Sequence, residues 1–319
     1  MKFEGIRVSE LRAGETVNGI YILKSAELKV SSNKKTYIDI ILSDSTGDVS
    51  AKWWDTGEAE YKILVLNKLF YVNAKADLWR DAIQLSIGKI RIADDEDQKL
   101  IKEFVQSAPI EPQNMLDEIY SFTGRIKNPE IRNIVMFIMD RKEEKLNFYP
   151  AAKSLHHAIR SGLLYHIVRM LRSAEALSGV YEGVNTDLLF AGVILHDLAK
   201  IGELLSNELG IAEYSKEGQL LGHIVMGVEE IAMAGRQTGA SDEIVLLLTH
   251  MVVSHHCEAE YGSPKKPMFL EAELLHHIDM IDARVYDYQN AIRNIEKGCF
   301  SEPVWSLDKR CVYKPKLDE

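Results

Sequence analysis

The sequence predicts a multidomain protein of the α and β class, in which a five-stranded β-barrel precedes an all-α helical bundle. From residue 17 to about residue 92, short runs of alternating apolar and polar residues are separated by turn residues. This period of two is typical of half-buried strands. After Ala93 the apolar residues recur at helical spacing, and all ten histidines lie between His156 and His277. A chain of 319 residues is long enough for two such domains.

Five strands are predicted in the first part of the chain. Their sequences are GIYILKSAELKV, KTYIDIILSD, GDVSAKWWD, KLFYVNAKADLW and AIQLSIGKIRI. Five strands in about 80 residues favour a small Greek-key barrel, and the oligonucleotide-binding fold (OB-fold) is the most common barrel of this kind. The segment DSTGDVSAKWWD resembles the strand-turn-strand signature of OB domains of the anticodon-binding class. We therefore predict an OB-type barrel over residues 1–95.

Aromatic and basic side chains lie close together in the predicted barrel, as they do in proteins that bind single strands. The candidate residues are Lys34, Lys35, Lys52, Trp53 and Trp54. OB barrels bind single-stranded RNA or DNA by stacking bases on exposed aromatic side chains within a basic groove. Packing inside the barrel is the alternative role for the aromatic residues. Because neighbouring residues of a strand face opposite sides, one tryptophan is expected in the core and the other can stack on a base.

The charge of the chain is unevenly distributed. Residues 1–95 carry 14 basic and 14 acidic side chains, whereas the rest of the chain carries 24 and 34, which accounts for the net charge of −10. An acidic protein does not attract phosphates through its overall field, so a nucleic acid has to be held by local patches and bound metal.

The chain begins without a signal-peptide pattern, and its longest apolar stretch is too short for a membrane span. Three scattered cysteines fit a reducing cytoplasm.

Three helices are predicted between the barrel and the histidine-rich part of the chain. Their sequences are DDEDQKLIKEFVQ, QNMLDEIYSF and NPEIRNIVMFIMDRKEEK, and Pro109, Pro112 and Pro129 interrupt the pattern. We expect residues 96–150 to form a helical connector that also offers an oligomer contact. Beyond Pro150 the pattern predicts helices throughout, and residues 151–319 are expected to form the second domain.

Seven side chains in this second domain have the chemistry of ligands for divalent transition metals. In chain order they are His166, His196, Asp197, His223, His255, His256 and Asp279. Taken singly, His166 and His223 resemble histidines that pack within a core. The adjacent pairs are harder to explain by packing, because burying two ionisable groups at the end of an apolar helix is costly unless a cation compensates them. The whole set predicts a metal-dependent hydrolase.

The order H…HD…H…HH…D resembles the HD-domain phosphohydrolase superfamily, over residues 156–283. In two-metal members of that superfamily these positions divide between two ions. The resemblance implies one ion on His166, His196, Asp197 and Asp279, and a second ion on Asp197, His223, His255 and His256. Asp197 would bridge the ions and so take part in catalysis directly. Because imidazoles dominate the set, manganese, iron, cobalt and zinc are favoured over magnesium, and the residues do not choose among these four metals.

Lys200 shares a helical face with His196 and Asp197, because it follows them by four and three residues. The resemblance implies that Lys200 is catalytic and reaches the scissile phosphate, where a fixed cation offsets the negative charge that develops in the transition state. An exposed lysine near a helix C-terminus is the alternative interpretation.

Three further residues near the motif are less firmly assigned by the sequence. Asp282 follows Asp279 by three residues and is its rival as the last ligand. His156 and His157 are candidates for contacts with a substrate phosphate, and polar helix caps are the alternative for both.

The barrel combined with the segments AAKSLHHAIRSGLLYH, LLGHIVMGVEEI and SHHCEAEYGSP resembles the YhaM family of bacterial 3′-5′ exoribonucleases, nearly end to end. The resemblance implies a cytoplasmic homo-oligomer, not bound to membranes, that removes nucleotides from single-stranded RNA, with some action on single-stranded DNA. It also implies manganese as the metal, with iron, cobalt and zinc as the alternatives. The pair Ser161-Gly162 departs from the two glycines expected there. Two alternatives stay open: an HD-type phosphohydrolase of small nucleotides, and a non-catalytic protein that binds single strands.

Overall fold

The computed structural model of the protein describes residues 5–31, 33–79, 82–153, 157–293 and 295–317. The chain forms two compact units, Met1–Gln106 and Ser107–Glu319. The first unit extends beyond residue 95 because Phe104 packs with Ile20, Leu69 and Ala93 in a small apolar cluster beside the strands. Among the described helices, none is both long enough and apolar enough to cross a bilayer.

The first unit is a closed five-stranded barrel, which confirms the predicted fold. The strands are β1 (Thr16–Val30), β2 (Thr36–Asp44), β3 (Gly47–Trp54), β4 (Leu69–Trp79) and β5 (Ala82–Ile92), and helix α1 (Glu58–Lys62) lies between β3 and β4. Around the barrel the order is β1-β2-β3-β5-β4, and β4 closes on β1. Every pairing is antiparallel except the parallel one between β3 and β5. This is the Greek-key arrangement of the OB-fold.

Alternate residues of the strands fill the barrel. On β2 the side chains of Ile38, Ile40 and Leu42 are fully buried, in agreement with the period of two in the sequence. The predicted DSTGD turn is closed by the carboxylate of Asp44, whose Oδ1 accepts hydrogen bonds from the backbone N–H and the hydroxyl of Thr46. The turn residues thus fix the register between β2 and β3.

The remaining elements are mostly helical. They are α2 (Asp95–Gln98), α3 (Pro112–Arg125), α4 (Pro129–Met139), α5 (Glu143–Leu146), α6 (Gly162–Ser178), α7 (Thr186–Leu195), α8 (Lys200–Glu203), β6 (Leu204–Ser206), β7 (Ala212–Tyr214), α9 (Lys216–Thr238), α10 (Asp242–Ser254) and α11 (Leu270–Ile292). The expectation of helices throughout beyond Pro150 was wrong at β6 and β7, which form a short antiparallel hairpin. Because each strand has only three residues, the sequence carries no strand periodicity there.

Helices α3 and α4 share one continuous core with the later helices instead of forming a separate connector. Pro112 and Pro129 occupy the first turn of these helices. The N–H groups of a first turn have no partner within the helix, so proline begins a helix there without losing a hydrogen bond. The two prolines therefore mark helix starts, and the apolar faces that follow them complete the core of the second unit.

Helix α7 lies at the centre of this core and determines where the site is. Its residues from Leu188 to Leu195 are all buried, and the Asn185 side chain caps its N-terminus. A helix that is apolar on every side is stable only when other elements surround it. The helix ends at His196, so it delivers the His196-Asp197 pair into the interior of the bundle.

The start of helix α6 depends on backbone conformations that favour glycine. Ser161 has φ 60° and ψ 18°, the left-handed region that a β-carbon disfavours. A glycine would fit this position, which gives a physical reason for the two glycines expected from the family resemblance. The backbone oxygen of His157 lies 2.0 Å from the place that a β-carbon on Gly162 would occupy. Gly162 is thus required by close approach of the chain.

We expect Gly162→Ala to lower the free energy of unfolding of the helical unit by about 1–3 kcal/mol, because the added methyl forces backbone atoms apart. Gly124→Ala is the matched control on another helix, since nothing lies within 4 Å of its β-carbon position. It should raise the free energy of unfolding by up to about 1 kcal/mol. Urea denaturation followed by far-ultraviolet circular dichroism measures both. Equal stabilities for the two variants would contradict the close approach at Gly162.

Candidate metal centre

Five histidines of the predicted set point their Nε2 atoms toward a common centre. In three of them, His196, His255 and His256, Nδ1 lies 2.7 to 2.8 Å from a backbone carbonyl oxygen. A carbonyl only accepts hydrogen bonds, so Nδ1 carries the proton and Nε2 is left as an unprotonated ligand atom. In His166 and His223, Nδ1 faces a carboxylate instead. The surroundings thus prepare all five rings for coordination through Nε2.

Asp197 lies between two sets of these rings. Its Oδ2 is 3.4 Å from Nε2 of His196 and 3.8 Å from Nε2 of His166. The other oxygen, Oδ1, is 3.4 Å from Nε2 of His223 and 3.8 Å from Nε2 of His255. The two oxygens of one carboxylate therefore face two different groups of imidazoles.

Three ligand atoms of this cluster are buried without a hydrogen-bond partner among the described residues. They are Oδ1 of Asp197, Nε2 of His223 and Nε2 of His255. Buried polar atoms are rarely left unsatisfied, because each costs free energy without a partner. Burial also holds the pKa of His255 well below its ordinary value, which keeps the ring neutral and able to donate its lone pair to a metal. The residues present fit a divalent metal ion.

The structure separates the roles of the two candidate aspartates on α11. Oδ1 of Asp279 lies 3.3 Å from Nε2 of His166, on the side of the cluster. Asp282 lies behind the same ring, where its Oδ2 is 2.8 Å from Nδ1 of His166 and its Oδ1 accepts from Arg169 Nε at 2.6 Å. Asp279 thus faces the ligand atoms, whereas Asp282 orients a ligand from outside. Carboxylate–histidine pairs of this kind fix ring orientation at metal sites.

The electrostatics of His166 follow from these two carboxylates. Burial lowers the pKa of His166, but its hydrogen bonds to Asp279 and Asp282 outweigh burial and raise that pKa to about 9. Burial raises the pKa of Asp282, and its hydrogen bonds to His157 and His166 more than reverse that effect. A cation at Nε2 of His166 would replace the proton that these carboxylates otherwise favour.

His157 lies behind the cluster and not in the cleft. Its ring is fully buried, and its Nε2 is 2.7 Å from Oδ2 of Asp282. Burial is the largest influence on His157 and lowers its pKa to about 4. The expectation that His157 contacts a substrate phosphate was wrong, because neighbouring residues enclose the ring. His156 lies outside the described residues.

Lys200 is buried beside the predicted bridging carboxylate. Its Nζ lies 2.7 Å from Oδ2 of Asp197. Burial lowers the pKa of Lys200, but the charges of Asp197 and Asp279 reverse this and raise the pKa above its ordinary value. The lysine is therefore a fixed cation at the centre. Its burial does not fit the alternative of an exposed lysine at a helix end.

Glu203 orients His223 but was missed from the sequence, and Gly222 shapes the backbone beside the same histidine. Oε1 of Glu203 accepts hydrogen bonds from both the backbone N–H and Nδ1 of His223, at 3.0 and 3.1 Å. That N–H is free of the helix because Gly222, with φ 73° and ψ 161°, kinks α9 one residue earlier. Such a conformation is essentially confined to glycine. Glu203 follows Lys200 by three residues, a helical spacing that was the available signal.

A cleft of about 670 Å³ opens over the centre. Its floor contains the ligand candidates Asp197, His223, His255, His256 and Asp279 together with Lys200. Tyr214 of strand β7 and Trp305 of the C-terminal 3₁₀ helix Trp305–Leu307 line its walls. A cleft of this volume takes a ligand of nucleotide size or larger.

The two adjacent tryptophans of the barrel take different positions, as alternation requires. Trp53 packs against the barrel core, and it also lines a shallow groove with Tyr71 and Asn73. Trp54 is 46% exposed, and its ring centroid lies 4.8 Å from that of Tyr37. Trp54 and Tyr37 together form an aromatic pair on β2 and β3, in which Trp54 is exposed and Tyr37 is half-buried.

The three candidate lysines lie near this aromatic pair. Nζ of Lys52 is 5.1 Å from the centre of the Tyr37 ring and 2.6 Å from Oδ1 of Asp39. Lys35 pairs with Asp55 at the surface, and Lys34 lies exposed in the turn before β2. The structure thus brings basic and aromatic side chains onto one part of the barrel.

The comparisons with known proteins agree with this geometry. The family model for the HD domain matches residues 163–284. A protein of Geobacillus sp. (strain WCH70), named 3′-5′ exoribonuclease YhaM, is 40% identical over 302 residues, which cover 95% of this chain and 93% of that protein. The chain belongs to the YhaM family. A relative of the same name from Halalkalibacterium halodurans is 39% identical over 97% of this chain and 96% of its own.

The HD-domain match encloses all seven predicted ligands of this family member. Among solved structures, the second OB-fold domain of replication protein A from Methanococcus maripaludis is 15% identical and has a TM-score of 0.24. It covers 28% of this chain and 94% of that domain. As a member of an HD-domain family, the chain is a hydrolase that binds divalent metal.

We expect Asp282→Asn to weaken metal binding about 10- to 100-fold, because the charged partner that orients His166 is lost. Isothermal titration with Mn²⁺ on the metal-free protein measures this affinity. Glu273→Gln is the matched control on the same helix, since Glu273 is exposed and pairs with exposed His277. An unchanged affinity in the Asp282 variant would contradict the orienting role.

Proposed function

We propose that the protein removes nucleotides from the 3′ end of single-stranded RNA, and also acts on single-stranded DNA, with two divalent metal ions at one centre. The observation that carries this proposal is the position of Asp197, whose two oxygens face two different groups of histidine Nε2 atoms. A single ion would need only one of these groups. Two relatives, 39% and 40% identical over nearly the whole chain, bear the name 3′-5′ exoribonuclease.

The proposed ligands divide around the bridging carboxylate of Asp197. One ion is held by His166, His196, Asp197 and Asp279, and the other by Asp197, His223, His255 and His256. Manganese is the proposed ion because the family resemblance implies it, and iron, cobalt and zinc are alternatives that the same imidazole and carboxylate ligands accept. When bound, the metals polarise the phosphodiester and activate water for its hydrolysis.

Lys200 is the proposed catalytic cation. It is buried, its Nζ lies at the Asp197 carboxylate, and it lines the floor of the cleft. A phosphate bound over this floor would lie beside an ammonium group that is already in place. Fixed charge of this kind stabilises the negative charge of a phosphoryl transition state without reorganisation.

The barrel is proposed to hold the upstream part of the strand. The exposed Trp54 ring, which packs on half-buried Tyr37, supplies a flat surface for a base. Lys52 beside this pair, and Lys34 and Lys35 in the segment before β2, are proposed to contact the backbone. Stacking tolerates every base, which suits an enzyme that shortens RNA of any sequence. Homo-oligomer formation and a cytoplasmic location stay predictions.

The first test uses a 5′-labelled single-stranded RNA with Mn²⁺. The wild-type protein should give a ladder that shortens from the 3′ end, and Asp197→Ala should lower the rate more than about 100-fold. Loss of a metal ligand lowers metal affinity or activity more than loss of an outer hydrogen-bond partner, which lowers them about 10- to 100-fold. Asp242→Ala, at the exposed start of α10, is the control. If the wild type left the RNA intact, the alternative of a phosphohydrolase of small nucleotides would be favoured. If it bound RNA without hydrolysing it, the non-catalytic alternative would be favoured.

A second test addresses the barrel. Trp54→Ala should raise the KM for a long single strand about tenfold, because one stacked base is lost. The same variant should leave a dinucleotide substrate unaffected, and Trp54→Phe should retain most of the affinity. Steady-state kinetics on both substrates measures the difference. An equal rise in KM for the long and the short substrate would rule out the proposal that the barrel holds the upstream part of the strand.

A further inference from the structure

The C-terminal segment carries an exposed tryptophan into the cleft. Trp305 lines the same cleft as Asp197, Lys200 and Asp279, and it is 75% exposed. An indole contributes to a core only when it is buried, so packing does not explain this residue. Large apolar side chains exposed beside a polar site are typical of binding surfaces.

The backbone around the tryptophan is held by hydrogen bonds and by one buried side chain. Trp305 begins the 3₁₀ helix Trp305–Leu307, and the Leu307 side chain is fully buried. We call residues 304–310 the tip. Its backbone is closed by two hydrogen bonds of 3.0 Å: Val304 N–H donates to the carbonyl of Arg310, and Lys309 N–H donates to the carbonyl of Val304. A ligand that binds such a surface does not have to order it first.

Side chains fix the tip to helix α11 as well. The Arg310 guanidinium donates to the hydroxyl of Tyr288 at 3.1 Å. Arg284 lines the cleft, and its Nη2 lies 3.5 Å from Oδ2 of Asp308. Because α11 also carries Asp279, the tryptophan and a metal-ligand candidate are held by one helix.

The cleft therefore offers three kinds of contact. Its floor is the candidate metal centre with Lys200, which suits a phosphate. Arg284 and Lys153 place hydrogen-bond donors on its sides, where they pair with the carboxylates of Asp308 and Glu213, respectively. Trp305 adds a flat aromatic surface, which a phosphate by itself does not use. A ligand that uses all three contacts is a nucleotide with its base.

The position of Trp305 in the sequence indicates a role in binding the substrate. The HD-domain match ends at residue 284, so the tip lies outside the part that this chain shares with HD proteins in general. Functional specificity is commonly carried by elements added to a shared fold. The tip is such an addition, and it reaches the cleft of the shared domain.

We propose that Trp305 stacks on the base of the 3′-terminal nucleotide and so positions the last phosphodiester over the metal centre. This inference rests on the proposed exonuclease function and names how its substrate is recognised. Trp305 is a substrate-binding residue that touches the base. It takes no part in the transfer of protons or charge. Stacking also explains how any of the four bases is accepted.

The kinetic test compares two RNA strands that are identical except for the 3′-terminal nucleotide, which carries its base in one and is abasic in the other. Trp305→Ala should raise the KM for the intact strand about tenfold and change kcat little. The KM for the abasic strand should be the same in the wild type and the variant, because this strand has no base to stack. Trp305→Phe should restore most of the affinity, since it keeps an aromatic face.

Phe300→Ala is the matched control. Phe300 lies in the same segment, is 65% exposed and packs against Tyr313 instead of lining the cleft. Its variant should retain the KM of the wild type. If Trp305→Ala raised the KM of the abasic and intact strands equally, the residue would act by supporting the cleft, and the stacking proposal would be overturned. An unchanged KM for the intact strand would overturn it as well.

A binding measurement gives a second readout that does not depend on turnover. The other three tryptophans, Trp53, Trp54 and Trp79, lie within the first 95 residues. The difference in fluorescence between wild type and Trp305→Phe therefore reports Trp305 alone. Adenosine monophosphate should quench this difference signal, whereas ribose 5-phosphate should not. Equal quenching by both compounds would contradict stacking.

These outcomes separate the inference from the function on which it rests. If the wild type fails to shorten RNA but adenosine monophosphate still quenches Trp305, the exonuclease proposal fails and a base-binding cleft remains. If the wild type shortens RNA and the Trp305 variants match it, the function stands and the stacking surface is excluded.

Discussion

The structure of the helical unit depends on one buried carboxylate. Asp197 lies just beyond the end of α7, whose residues from Leu188 to Leu195 are all buried, and only 2% of Asp197 is exposed. Such a charge is tolerated only when cations or donors surround it. Lys200 neutralises one oxygen, whereas the histidine Nε2 atoms that face both oxygens are ligand atoms and not donors. The surrounding helices therefore bring one lysine and a set of metal ligands to the same point, and a bound cation would supply the remaining compensation.

The outer partners of the histidines are as important as the ligands themselves. Carbonyl oxygens of their own chain segments fix the tautomers of His196, His255 and His256, whereas Asp282 and Glu203 orient His166 and His223. The first kind of partner comes with the fold of the backbone. The second kind has to be supplied by a side chain from elsewhere, so it adds charge and makes the ring more basic. The centre combines both kinds around one carboxylate.

Much of this could be predicted from the sequence, and the failures have a common cause. The five strands follow from alternation, and the residues of the centre follow from the order of histidines and aspartates. The partnership of His157 with Asp282 spans 125 residues, and no local pattern encodes it. The Trp305 tip was missed for the same reason, since its position depends on packing against α11. The glycine at position 222 could be noted from the sequence, but the kink that it makes in α9 is known only from its backbone angles.

The closure of the barrel has a consequence for recognition. Strand β1 pairs with β2 along one side and with β4 along the other, and β3 and β5 close the remaining seam. Within the described residues, the ring of strands therefore has no open edge to which another extended chain could add by backbone pairing. A guest strand can meet this domain only through side chains. In the proposed function these contacts are base stacking and pairing with backbone charge, neither of which depends on the sequence of the strand.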